Sequence, residues 1–483
     1  MSLPDVAGTA LEGSLDLSVM ARLKSAETRI SDQAEAATSV VNTGAMRFIT
    51  RGRLRTWGRL SVFSLVDQGL ASGAGLGVNL MLARWMSTEG YGAFAVAFAG
   101  FLFVAGFYNV LLLEPMSVMG PSRYAGILPA YFRSQITVHA ILVGALSGVS
   151  LLAGFALWKV VPTSSLIGAV LGAGLALPFL LLTWLSRRMC YVTQRPGLAI
   201  LGSAFYLGFV CAGLFALAKL AWLSSFSAFA LMGCSSLLSS GLLLWRLALG
   251  IHGLGGRPKI SWSEVLVENV TYGKWLLGST ILFSISSQAQ TFLVAGMLGL
   301  GTAGILRAMQ LPSLLMTQVV TAAGILIPST LSRDYGRGAI QELRHKAAIA
   351  SAGMGGLACC FAVFLALSAG RAEHLLFGGR YAPYAWLMPV LALVPAATGI
   401  NQGFSLALRA TQKPHFDLIA NAIAATVGLL SAPFFIHWWG VAGAAASMVA
   451  SFAALPVVSF LFYRHSNWTA SAAHEPSRKC LHV

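Results

Sequence analysis

The sequence predicts an all-α membrane protein of about 12 transmembrane helices in two six-helix bundles related by a parallel pseudo-repeat. Three observations predict it. Of the 483 residues, 57% are hydrophobic and only 10% charged, whereas a soluble domain carries about a quarter charged residues. Apolar stretches of about 20–28 residues recur from residue 60 onward, the length that crosses a hydrocarbon core of roughly 30 Å. Lys and Arg fall between those stretches in alternation.

The elements follow in order. Residues 1–54 read as a cytoplasmic N-terminal tail. They hold six of the 16 acidic residues, no run long enough to cross a bilayer, and a short amphipathic pattern at Leu15, Leu17, Met20, Leu23 and Ile30. No compact apolar core follows a basic start, so this is not a signal peptide. The first bundle, residues 60–245, contains spans at about 60–84, 91–113, 129–158, 162–185, 197–219 and 221–245. The third of these is read as a shorter helix with an interfacial lead-in. Residues 246–271 form a cytoplasmic linker. The second bundle, residues 272–463, contains spans at about 272–298, 302–331, 346–370, 383–409, 416–438 and 440–463, and residues 464–483 are a cytoplasmic C-terminal tail.

The net charge of +16 suits the positive-inside rule better than nucleic acid, because the basic residues lie between apolar runs. With the N-terminus inside, 26 of the 32 basic residues fall on the inner side and 6 on the outer side. A wrong helix count scrambles that alternation, so both termini are expected in the cytoplasm. The six cysteines show no metal-ligand spacing and read as small buried hydrophobes.

The halves show weak self-similarity. The run Asn79-Leu-Met-Leu-Ala-Arg-Trp-Met-Ser-Thr-Glu-Gly-Tyr-Gly92 aligns with Thr291-Phe-Leu-Val-Ala-Gly-Met-Leu-Gly-Leu-Gly-Thr-Ala-Gly304, an offset of 212 residues. Leu113-Glu-Pro-Met-Ser117 then aligns with Leu326-Ile-Pro-Ser-Thr330 at an offset of 213. An even number of spans separates the copies, so the repeat is parallel and its axis runs along the membrane normal.

Several chemistries are missing. The Gly273-Lys274 pair is followed by Trp275 and has no upstream glycine pattern, so no phosphate-binding loop for ATP exists. Gly299-Leu-Gly-Thr-Ala-Gly304 fits a dinucleotide fingerprint, but no strand precedes it and its glycines read as a helix-to-helix turn. The sequons at Asn269 and Asn467 fall on the expected cytoplasmic side. Neither a cofactor nor a metal is indicated.

Ionisable groups inside apolar spans carry the most information, because hydrocarbon makes them costly unless they face a cavity or a partner. Asp67 lies in span 1 and Glu114 ends span 2 beside Pro115. Each is either a helix-packing carboxylate or an ion-coupling site. Arg84, Arg123, Arg307 and Arg409 are candidates for a cationic cavity; Arg307 lies too deep for a loop residue, whereas the others also suit helix-end anchoring. Arginine holds a phosphate bidentately with a charge that is never lost. Gln68, Asn109, Gln288, Gln290, Asn401 and Gln402 are candidate polar lining, or interhelical hydrogen-bond partners. Prolines at 115, 178, 312, 328, 389 and 395 suit bent helices around such a cavity.

The run Asp67-Gln-Gly-Leu-Ala-Ser72, then Leu82-Ala-Arg-Trp-Met-Ser-Thr-Glu-Gly-Tyr-Gly92, then Leu113-Glu-Pro-Met-Ser-Val-Met-Gly-Pro121 resembles Wzx-type polysaccharide exporters. These belong to the multidrug/oligosaccharidyl-lipid/polysaccharide exporter (MOP) superfamily, and the resemblance covers about residues 60–465. It implies a non-enzymatic flippase in a bacterial inner membrane, moving undecaprenyl-pyrophosphate-linked oligosaccharide by alternating access. It further implies the lipid bilayer, the polysaccharide assembly machinery and H+ or Na+ as partners, with Asp67 first in line for coupling. Two rivals stand beside it. A drug/cation antiporter of the same superfamily would favour carboxylates over arginines in its cavity. A membrane glycan polymerase or glycosyltransferase would need a sizeable outer loop, and the expected outer loops are short.

Overall fold

A computed structural model describes residues 62–249, 260–324, 327–411 and 414–465. Two compact units divide the chain: Met1–Phe63, of which only residues 62 and 63 are described, and Ser64–Val483. The amphipathic pattern of the N-terminal tail, the middle of the linker and the C-terminal tail lie outside the described residues.

Among the described residues the chain is helical, without strands. Helix α1 (62–85) leads to α2 (Thr88–Tyr108), which continues through a π turn (Asn109–Leu113) into α3 (Glu114–Ser122). Then come α4 (Leu128–Val160), α5 (Ser165–Val192), α6 (Pro196–Lys219) and α7 (Ser225–Leu249). The second half holds α8 (Trp262–Leu298), α9 (Leu300–Ala323), α10 (Ile327–Gly336), α11 (Ile340–Phe377), α12 (Leu387–Leu391), α13 (Leu393–Ala410) and α14 (Pro414–His465).

Nine of the described helical stretches are long and apolar enough to cross a membrane. The last of them is two crossings, because α14 breaks at Gly440 (φ +57°, ψ −131°). Its limbs run antiparallel: Ser451 Oγ donates to the Ala424 carbonyl at 2.7 Å, and a side chain on Gly443 would strike the Phe435 carbonyl. Helix α1, and α9 with its Arg307, Gln310 and Gln318, complete the twelve.

Local chemistry sets the ends. Ser87 caps α2, its hydroxyl accepting from the Gly90 N–H at 3.1 Å, and Ser164 caps α5 from the Leu166 N–H. Such caps satisfy amides that a helix start leaves orphaned. Gly299 joins α8 to α9 at φ +90°, a left-handed value that glycine adopts without strain; the fingerprint-like glycines are a helix turn. Pro115 has no N–H for the Leu111 carbonyl, and the π turn sits there, with the Glu114 N–H bonded to the Asn109 carbonyl.

Three spans differ from expectation. Helix α4 runs unbroken for 33 residues, so the third span is not shortened; its polar Ser134, Gln135 and His139 are buried against neighbours rather than interfacial. In the eighth span α9 ends at Ala323 and α10 begins at Ile327, with residues 325 and 326 outside the described residues. Helix α11 runs from Ile340 to Phe377 over 38 residues, beyond the expected span at both ends, with Glu342 and Arg344 in a polar lead-in before the apolar run.

Within each bundle small residues let helices touch and hydroxyls tie them. Ser147 donates to the Gly174 carbonyl, Thr183 to Ser236 and Ser239 to Gly202, at 2.5, 2.9 and 2.8 Å. Between the bundles, α2 lies against α8 and α9. At their first turns Gly92 and Gly304 meet: a Cβ on Gly304 would sit 2.9 Å from the Gly92 nitrogen, and one on Gly92 would strike the Leu300 carbonyl. These are the two residues that the offset of 212 pairs. Equivalent residues touch one another only where they straddle the axis that relates them, so the parallel repeat is visible in the packing.

Gly92→Ala is therefore expected to destabilise the protein by about 1–3 kcal/mol, the usual cost of overpacking, read as a lower thermal midpoint in detergent. Gly100→Ala on the same helix is the control, since a Cβ there meets nothing within 4 Å. Equal midpoints for the two variants would refute the close approach.

Candidate functional site

Arg307 projects from α9 where the bundles face each other. Its guanidinium carbon lies 5.9 Å from the centre of the Phe98 ring of α2, and one terminal nitrogen makes a long contact of 3.5 Å to Gln310 Oε1. Its Nε is buried without a partner. No carboxylate pairs with it among the described residues. A desolvated cation without a counter-charge is costly, and an anion entering between the bundles would relieve that cost.

Polar groups are buried in both bundles. In the first bundle Tyr91 Oη donates to Asn79 Oδ1 at 3.3 Å, and Asn79 Nδ2 to the Gly75 carbonyl at 2.8 Å. In the second, Gln310 Nε2 reaches Met448 Sδ at 3.3 Å. Gln288 Oε1, Gln290 Oε1, Ser313 Oγ and Asn401 Oδ1 are buried with no partner. Unpaired buried oxygens of this kind call for donors from water or a hydroxylated ligand. Gln402 lies beside Gly324 at the end of α9, 3.1 Å from where a Cβ would stand, whereas Gln68 is exposed and bonded only to Ser72.

Asp67 is fully buried in the first bundle. Its Oδ2 accepts from Arg187 at 2.6 Å and from the Tyr191 hydroxyl, and its Oδ1 from Ser203 at 2.5 Å. The carboxylate thus ties α1 to α5 and α6. Arg187, Tyr191 and Ser203 are partners of Asp67 that the sequence does not point to directly. The available signal was Arg187 and Tyr191 four apart on one helix face. Glu114 is half-exposed and joins a looser triad: Asn109 donates to it at 3.3 Å, Arg188 stands 3.8 Å away, and Arg188 also donates to Asn109 Oδ1 at 3.3 Å.

The four predicted arginines are not brought together. Arg123 is exposed at the opposite end of the molecule from Arg84, pairs with Glu268 at 2.9 Å and stacks on Tyr124. Tyr124 donates to Glu268 at 2.6 Å; burial, and then that bond, push its phenol up to about 12, so it stays a donor. Arg409 is engaged by Asp417 at 2.5 Å. Arg84 donates to the Leu375 carbonyl at 3.2 Å, across the bundle boundary. Arg307 alone of the four lies unpaired and deep.

Comparison with known proteins places this geometry. The family described as "Polysaccharide biosynthesis protein" matches residues 202–386. An inward-facing multidrug-resistance MATE transporter of the MOP superfamily superposes with a TM-score of 0.67 at 14% identity, over 83% of this chain and 97% of that one. The fold is that of the MOP superfamily. The lipid II flippase MurJ, in an inward closed conformation, shares the MOP fold with a TM-score of 0.63 at 14% identity, over 84% and 87%. So does a MOP transporter from Pyrococcus furiosus described as having a binding pocket of reversed polarity, with a TM-score of 0.58 at 14% identity, over 85% and 94%. No curated protein sequence matches the chain. The resemblance read from spans 1 and 2 is borne out: this is a multi-pass membrane protein built like the MOP transporters and flippases.

Proposed function

We propose that the protein is a flippase that carries undecaprenyl-pyrophosphate-linked oligosaccharide across the bacterial inner membrane for polysaccharide export, making and breaking no covalent bond. The observation that carries this reading is Arg307, a half-buried cation with a buried, unpartnered Nε and no carboxylate, between two bundles of a MOP-like fold. A diphosphate supplies the missing charge, and sugar hydroxyls supply donors to the unpaired oxygens of Gln288, Gln290 and Asn401. The match of residues 202–386 to a polysaccharide-biosynthesis family supports the same substrate class. The basic-residue count puts the Arg123 end in the cytoplasm and the Arg84 end outside. Asp67 is the proposed coupling group in preference to Glu114, since it alone is fully buried.

The MATE likeness favours a second reading, a drug/cation antiporter, but an unpaired arginine between the bundles repels cationic cargo. The test is reconstitution of the full chain in proteoliposomes with lipid-linked oligosaccharide. Protein-dependent arrival of unlengthened glycan at the far leaflet is expected. Efflux of organic cations without glycan movement would establish the antiporter instead, and lengthened glycan a polymerase.

A further inference from the structure

At the Arg84 end, the last turn of α1 and the residues that close α11 hold each other by their backbones. Arg84 donates to the Leu375 carbonyl at 3.2 Å, Arg380 donates to the Met86 carbonyl, and Tyr381 Oη donates to the Ala83 carbonyl at 3.0 Å. All three cross from one bundle to the other. Leu375 and Ala83 lie in the last turns of α11 and α1, where carbonyls lack an intrahelical donor and the dipole is negative, and Met86 lies in the short link between α1 and α2. Arg84 is thus a cap on the opposite bundle's helix, and Arg380 holds the opposite bundle's link.

Neither guanidinium has a carboxylate partner among the described residues. Glu373 stands behind the turn, buried. Its Oε1 accepts from the Tyr381 N–H at 2.8 Å and its Oε2 has no partner. It shapes the turn without neutralising Arg84 or Arg380. His374 packs against Gly379, and Arg371 is exposed. Arg84 and Arg380 are exposed as well, and Arg84 lies 3.9 Å from where a Cβ on Gly378 would stand, so both cations serve one turn.

Each guanidinium here gives one bond to a neutral carbonyl, whereas phosphate adds an opposite charge and can be gripped through two nitrogens at once. We infer that Arg84 and Arg380 form an anion-operated latch: a diphosphate reaching this end takes the two guanidiniums from the Leu375 and Met86 carbonyls, and the bundles part there. This rests on the flippase reading for the direction of travel, and it gives Arg84 a place at the exit instead of beside Arg307. Release of cargo and opening of the exit become one event, driven by the headgroup. Tyr381, its phenol pushed up to about 12 chiefly by burial, remains a donor and recloses the contact.

The test is hydrogen–deuterium exchange on the full chain in phosphatidylcholine nanodiscs, followed over residues 80–90 and 372–386. Inorganic pyrophosphate, or undecaprenyl diphosphate placed in the nanodisc, is expected to speed exchange in both segments about tenfold, the effect of losing a charge-assisted bond. Response to the lipid alone would assign the latch to a membrane-borne headgroup, and response to both would assign it to the diphosphate group itself. In R84Q/R380Q the side chains end two bonds short of the guanidinium nitrogens that hold the carbonyls, so resting exchange is faster than wild type and the diphosphate response disappears. Y381F speeds resting exchange and keeps the response. No response to either diphosphate, an equal response to phosphatidylglycerol, or a response retained in R84Q/R380Q overturns the latch. Because exchange requires no transport, such a failure leaves the flippase reading standing, and a responsive latch on a chain that moves no glycan would sink that reading alone.

Discussion

Arg307→Ala is expected to lower glycan flipping about a hundredfold while the protein stays in the membrane and unfolds at the same temperature or a higher one. The two signs come from one cause. Truncating a desolvated, charge-assisted contact to phosphate costs about 2–5 kcal/mol of binding, and 1.4 kcal/mol is a factor of ten. Without cargo, however, Arg307 is a cation whose Nε lacks a partner, and removing an uncompensated buried charge relieves the fold. Arg307→Lys should recover only part of the activity, since ammonium offers a point charge where guanidinium offers a fork. Flipping and thermal midpoint measured on the same preparation decide it. Full flipping by Arg307→Ala would remove this residue from the cargo site.

Asp67→Ala is expected to behave in the opposite way, with stability falling first. It strands Arg187 beside a void and deprives Tyr191 and Ser203 of their acceptor; breaking a buried pair from one side typically costs about 3–5 kcal/mol. Asp67→Leu combined with Arg187→Met removes both charges and should return much of that loss. The double variant also separates the two roles of the carboxylate. If Asp67 couples transport to an ion gradient, the double variant folds but flips without responding to that gradient. A gradient response equal to wild type would make the residue structural. An Asp67→Ala variant as stable as wild type would contradict the network itself.

The twelve crossings, the turn at Gly299 and the parallel repeat were legible because bilayer thickness imposes length and a φ of +90° admits few residues other than glycine. The end of α9 at Ala323 was not, because apolar content continues in the sequence through Ile325, Leu326 and Ile327. Arg307 stood out by depth alone, a one-dimensional property. The partners of Asp67 lie 120 to 136 positions away, and no periodicity connects residues so distant. Arg84 was legible as a helix-end cation, but its acceptor is a backbone carbonyl, which carries no signature in a sequence. The arginines therefore looked alike on paper, and differ by what stands opposite each one.

The contact of Gly92 with Gly304 lies near one extremity of α9, not at its middle. From Gly304 to Ala323 the helix extends roughly 29 Å at 1.5 Å per residue, which makes it a lever with its fulcrum at the tip. A tilt of about 10° there carries the far tip some 5 Å, close to one helical pitch.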